Sequence, residues 1–130
     1  MQKLITKEIE RALEKQGDTS QLLPENITVF AKFFSPGGRA TWYLYDWDRE
    51  TRGRDGDFEG FPPRTDDYPN RLWVFAILND PELAECGTIL LSELESVRVK
   101  PFNLPIERDI HFSPMPLSDV MRIVKGGGHV

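Results

Sequence analysis

The chain has 130 residues, with 16 Lys+Arg against 21 Asp+Glu, one cysteine, 39% hydrophobic and 28% charged residues. That length fits a single domain, and such a chain buries roughly two-thirds of its unfolded surface, so a core can form without disulfides or metal. The lone Cys86 excludes a disulfide framework and any multi-cysteine zinc site, and the formal net charge of −5 is the wrong sign for general nucleic-acid binding.

The N-terminal stretch carries no signal-peptide pattern, and no apolar run approaches the ~20 residues of a membrane span. Together with the single thiol, these features lead us to expect a cytoplasmic protein with no membrane segment. An amphipathic helix opens the chain, with Thr6 as N-cap, Ile5, Ile9, Ala12 and Leu13 on one face and Gly17 at the stop. A polar linker runs from Gly17 to Asn26. Ile27 to Phe34 then alternates as one strand, with Ile27, Val29, Ala31 and Phe33 on its buried face. Ser35-Pro36-Gly37-Gly38 supplies a tight turn. The return strand, Ala40 to Trp47, places Trp42 and Leu44 on one face and Tyr43, Tyr45 and Trp47 on the other.

From Asp48 to Asn70 the composition turns to Gly, Pro, Asp and Arg without periodicity, which predicts a long charged loop. Leu72 to Leu78 is a continuous apolar run, the pattern of a strand buried on both faces. A fourth short strand is expected over Gly87–Leu91. Ser92 as N-cap with Glu95 three residues on then opens a short helical turn. Pro101, Pro105, Pro114 and Pro116 make the next segment extended or turn-like, anchored to the core by Ile110 and Phe112. Leu117, Val120, Met121 and Val124 define a closing helix that starts near Ser118 and ends at Gly126. The expectation is a single α+β domain over residues 1–125, followed by a flexible glycine-rich tail at 126–130. Its centre is an antiparallel sheet of about four strands, with an N-terminal helix, a short helical turn and a C-terminal helix.

Few residues in this frame offer chemistry. Asp46, Asp48, Glu50, Asp55, Asp57, Glu59, Asp66 and Asp67 could interest a hard cation. The EF-hand template fails, because counting from Asp46 its sixth-position glycine falls at Thr51. Arg49, Arg52, Arg54 and Arg64 are interleaved with these acids, so the stretch is first of all a solvated charged loop, and no metal is expected. Read as a recognition surface, the loop offers Arg49, Arg52, Arg54, Asp55 and Asp57, with Trp42, Tyr45 and Trp47 at its entry to stack or pack on a partner. The net charge of −4 over residues 46–67 favours a protein partner over nucleic acid.

Nucleophilic chemistry would have to pair Cys86 with His111 or His129, and a cysteine in that setting is more commonly a small buried hydrophobe. No Gly-x-Ser-x-Gly elbow or glycine-rich phosphate loop is present, and no cofactor is implied. If Pro105–Phe112 is extended, Glu107, Asp109 and His111 share a face. That would make His111 and Glu107 a candidate acid–base pair with Arg108 to hold phosphate. The competing account is a salt-bridge cluster tying down a proline-rich segment, with Arg108 in an ion pair at the edge of the core.

Several segments resemble a bacterial family known only as a domain of unknown function. They are Leu4–Ile9, the Lys32–Gly38 turn, Thr41-Trp42-Tyr43, Leu91–Arg98 and Leu104–Phe112. The resemblance implies a bacterial cytoplasmic protein of a kind often met on plasmids and other mobile elements, and it carries over no catalytic residue. The Asp48–Asn70 stretch is longer than the family's pattern. The expected function is that of a small non-catalytic protein-interaction module of a bacterial mobile element that modulates a host defence or replication protein. The alternatives are a nucleotide- or phosphodiester-processing enzyme using His111 and Glu107, and a single-strand nucleic-acid binder using Trp42, Tyr45 and Trp47.

Overall fold

The computed structural model describes residues 3–47 and 71–130. Helix α1 (Lys7–Gln16) starts where Thr6 Oγ1 accepts from the Ile9 amide at 3.2 Å, and Gly17 stops it with φ of 75°. Beyond a linker, β1 (Thr28–Val29) and β2 (Ala31–Phe34) lead into the turn expected from Ser35–Gly38. There the Gly38 amide donates to the Ser35 carbonyl at 2.9 Å, and Gly37 takes φ of 70°, where a side chain would be strained. The strands β3 (Thr41–Trp47), β4 (Arg71–Ile77) and β5 (Glu85–Leu90) follow, then α2 (Leu91–Ser96). A small hairpin pairs β6 (Arg98–Val99) with β7 (Leu104–Pro105). The chain continues through β8 (Glu107–Arg108) and β9 (Met115–Pro116) into α3 (Leu117–Lys125).

The main sheet has the order β5-β4-β3-β2-β8, and every neighbouring pair is antiparallel. The expected α+β architecture is therefore present. The strand beyond the four anticipated is β8, a two-residue piece of the proline-punctuated segment that pairs through Phe33↔Arg108 and Phe34↔Glu107. Helices cover both faces. Leu13 of α1 and Leu94 of α2 pack with Ala31, Phe33, Trp42, Leu44, Leu72 and Val74 on one side. Leu117, Val120 and Val124 of α3 pack with Val29, Tyr43, Tyr45 and Phe75 on the other. Burying such side chains contributes roughly 1.5–3 kcal/mol each against leaving them exposed. Among the described residues no helix is long and apolar enough to cross a membrane.

Two irregularities depart from the expected alternation. The single strand Ile27–Phe34 divides at Phe30: burial still alternates, but Ile27 and Val29 join the α3 side while Ala31 and Phe33 join the α1 side. Beyond the break β1 pairs with β9, through Thr28↔Pro116 and Val29↔Met115, while β2 stays on β3. On β3 the register slips between Leu44 and Asp46, leaving Tyr45 as the extra residue of a bulge. One extra residue shifts the phase of all that follows, so Trp47 lies with Trp42 and Leu44, not with Tyr43 and Tyr45 as expected.

Other expectations need smaller corrections. The apolar run of β4 is not covered throughout, since Trp73 and Leu78 are 40% and 68% exposed. Helix α2 begins two residues earlier than its capping pattern implied, with Leu90 at the N-cap and Ser92 inside the first turn. Ile110 is 66% exposed and does not anchor its segment, whereas Phe112 packs on the α3-side core with its ring 6.1 Å from that of Tyr43. Cys86 is exposed on β5 and is not a buried hydrophobe.

Candidate functional site

Where β8 closes the sheet, the first turns of α1 stand across from the chain leaving β8, and an open cleft of about 490 Å³ lies between them. Thr6, Glu8, Ile9 and Ala12 form the helix wall, Phe30 and Ala31 the floor, and Arg108, Asp109, Ile110, Phe112 and Pro114 the opposite wall. The break at Phe30 helps to make this floor, because a residue on the polar phase of the strand is turned to an apolar use. Polar and apolar surface share the lining in nearly equal measure, with charge at Glu8, Arg108 and Asp109.

The charged wall is held by specific contacts. Arg108 Nε donates to the Lys3 carbonyl at 3.3 Å, tying β8 to the segment before α1. Asp109 Oδ1 accepts from the His111 amide at 2.9 Å, and its Oδ2 lies 3.8 Å from Lys32 Nζ. Lys32 Nζ also donates to the Val130 main-chain oxygen at 2.6 Å and sits 6.0 Å from the centre of the Tyr43 ring. Burial pushes the Tyr43 hydroxyl above the ordinary tyrosine range. The end of the chain, the sheet and the cleft wall thus meet at one lysine.

The residues singled out from sequence are distributed differently from expectation. Trp42, Tyr45 and Trp47 are 6%, 7% and 4% exposed, and they belong to the two cores. Their rings are packing groups, not surface platforms for bases. Arg49, Arg52, Arg54, Asp55 and Asp57 lie outside the described residues. The common face of Glu107, Asp109 and His111 does not form, because the strand ends at Arg108 and the chain turns at Ile110–His111. The Asp109 carboxylate drives that turn by accepting from the main chain two residues on. Glu107 and His111 are exposed and neither lines the cleft. Arg108 does line it, and the partner the structure shows for its Nε is a carbonyl.

Asp46, first weighed as a cation ligand, is buried and fully engaged. Its Oδ2 accepts from Thr19 Oγ1 at 2.7 Å and the Thr19 amide at 3.0 Å, and its Oδ1 accepts from the Trp47 amide at 2.8 Å. Among the described residues no three His, Cys, Asp or Glu side chains are grouped to hold a metal ion. Sequence reasoning missed Glu8, Ile9 and Phe30 as cleft residues. Helical spacing marked Ile9 as core, and only the break in the strand turns Phe30 toward the cleft.

No curated protein and no solved structure matches the chain. Residues 74–130, from within β4 through α3 and including the Arg108–Pro114 wall of the cleft, are similar to a family described as a protein of unknown function (DUF2958).

Proposed function

We propose that the protein is a small protein-interaction module that receives its partner in the cleft between α1 and the segment after β8. The observation that carries this reading is the lining: an open cleft at the edge of the sheet where apolar side chains and charged groups stand side by side, with Ile110 66% exposed on its rim. Ile110 differs from the other exposed apolar side chains in standing on the cleft, where a partner would bury it. The resemblance to a bacterial family of mobile elements extends the reading: the partner would be a host protein of the bacterial cytoplasm, such as a defence or replication component.

The test is capture from nuclease-treated bacterial lysate by the wild-type chain, by Ile110→Asp, and by Leu83→Asp as an exposed control away from the cleft. A stoichiometric protein held by wild type and Leu83→Asp and lost with Ile110→Asp is the expected result. A partner held equally by all three, or one released by nuclease, overturns it.

A further inference from the structure

We propose that the segment seated in this cleft is an extended peptide of the partner that sets an apolar side chain beside a lysine or arginine. The inference rests on the interaction-module reading and names its ligand chemistry. Three observations carry it.

The first is position. β8 is the terminal strand of the described sheet and pairs on one side with β2, so a chain lying along the cleft runs beside a sheet edge. Such edges take extended peptides, with neighbouring pockets selecting the side chains. The second is the apolar part of the lining. Ile9 and Ala12 on the helix wall, Phe30 on the floor and Phe112 on the opposite wall offer apolar surface to a ligand side chain, and Ile110 stands exposed on the rim beside them.

The third is charge. Of the two carboxylates on the walls, Asp109 already faces Lys32 and the His111 amide. Glu8 is exposed on the helix wall and has no ion-pair partner among the described residues. The Arg108 guanidinium is directed through Nε to the Lys3 carbonyl. Arg108 is thus already engaged, and the carboxylate of the lining that has no ion-pair partner among the described residues is that of Glu8, which favours a cation next to the apolar anchor.

The experiment is panning of a phage-displayed random dodecapeptide library on the full chain, with Ile110→Asp as counter-selection. The strongest peptide is then synthesised and titrated into wild type and Glu8→Lys by fluorescence anisotropy. The expected result is enrichment of a large apolar residue adjacent to Lys or Arg, with affinity falling about fivefold or more in Glu8→Lys, as befits loss of a ~1 kcal/mol exposed ion pair. Recovery of the lost affinity when the basic residue is changed to Glu would complete the charge swap. Motifs without a basic residue, or binding indifferent to Glu8→Lys, overturn the proposal. So does dimerisation of the chain that Ile110→Asp abolishes, since the occupant is then a second copy. If no peptide is enriched while a captured protein still depends on Ile110, the peptide chemistry is wrong and the module reading stands.

Discussion

At the scale of single residues, Asp46 shows how a carboxylate that looks functional in sequence can be structural. It is 6% exposed, and its oxygens accept from Thr19 twice and from Trp47 once. These bonds fasten the linker after α1 to the end of β3. A buried charge is tolerable only with such partners, and hydrogen bonds to charged groups contribute about 1.5–3 kcal/mol each. Asp46→Ala should therefore destabilise the fold by about 2–4 kcal/mol in urea titration, since it strands buried donors. Thr19→Val should cost less, as it leaves the main-chain bond in place. Equal stability of wild type and Asp46→Ala would refute this account. Cys86 makes the opposite case. The residue reaches the surface, but neighbouring atoms partly shield the sulfur from water and push its pKa up; a hydrogen bond from Tyr45 and the charge of Lys125 oppose the shift, and the charge of Glu85 adds to it. Iodoacetamide should alkylate it more slowly at pH 8 than a free thiol, because the thiolate is the reactive form. Tyr45→Phe removes an opposing contribution and should slow the reaction further; faster alkylation in that variant would exclude the contact.

At the scale of elements, Gln16 at the end of α1 joins the two places where the sheet is irregular. Its Nε2 donates to the Tyr45 carbonyl at 2.8 Å and the Thr28 carbonyl at 3.2 Å, and its Oε1 accepts from the Thr28 amide at 2.8 Å. The amide thus serves main-chain groups of the bulge and of β1, which has left β3 for β9. Backbone groups inside a fold must find partners, so Gln16→Leu should cost about 2–3 kcal/mol. Gln16→Glu should cost less at low pH than at neutral pH, since only the protonated acid can donate. Chemical denaturation of both variants at pH 4 and pH 7 checks the pattern. Gln16 also marks what could be read in the sequence. The caps at Thr6 and Gly17, the Ser35–Gly38 turn, the hairpin it joins and the apolar face of α3 all follow from local periodicity and turn chemistry, and all are present. The break at Phe30 and the bulge at Tyr45 were not legible, because period-two alternation continues through both in the sequence and only non-local partners end it. The cleft was hidden for the same reason. It depends on that break and on the turn at Ile110, so its walls come from segments far apart in the chain.

At the scale of the molecule, the sheet is sandwiched between two cores of different character. The α1 side is closed by aliphatic side chains with Phe33, Trp42 and Trp47, none of which ionises. The α3 side buries two tyrosines, Tyr43 and Tyr45, and burial is the main cause holding both hydroxyls above the ordinary value of 10.0. This has a consequence for the whole fold in alkali. Below pH 10 both states keep the phenolic protons, and the tyrosines contribute their full share to stability. Above it the unfolded chain ionises while the native chain holds its protons, so the unfolded state binds fewer protons and stability falls as pH rises. The loss begins near the ordinary tyrosine value and continues as pH approaches the raised native ones. The midpoint of urea unfolding should accordingly be flat with respect to these groups from pH 8 to 9.5 and decline from pH 10 to 11. Tyr45→Phe should start less stable or equal at pH 8 and decline less steeply, because it has one ionisable phenol fewer to lose in the unfolded state. Parallel slopes for wild type and Tyr45→Phe above pH 10 would mean that the Tyr45 hydroxyl reaches solvent in the native protein, and that the α3-side core is more open than its packing indicates.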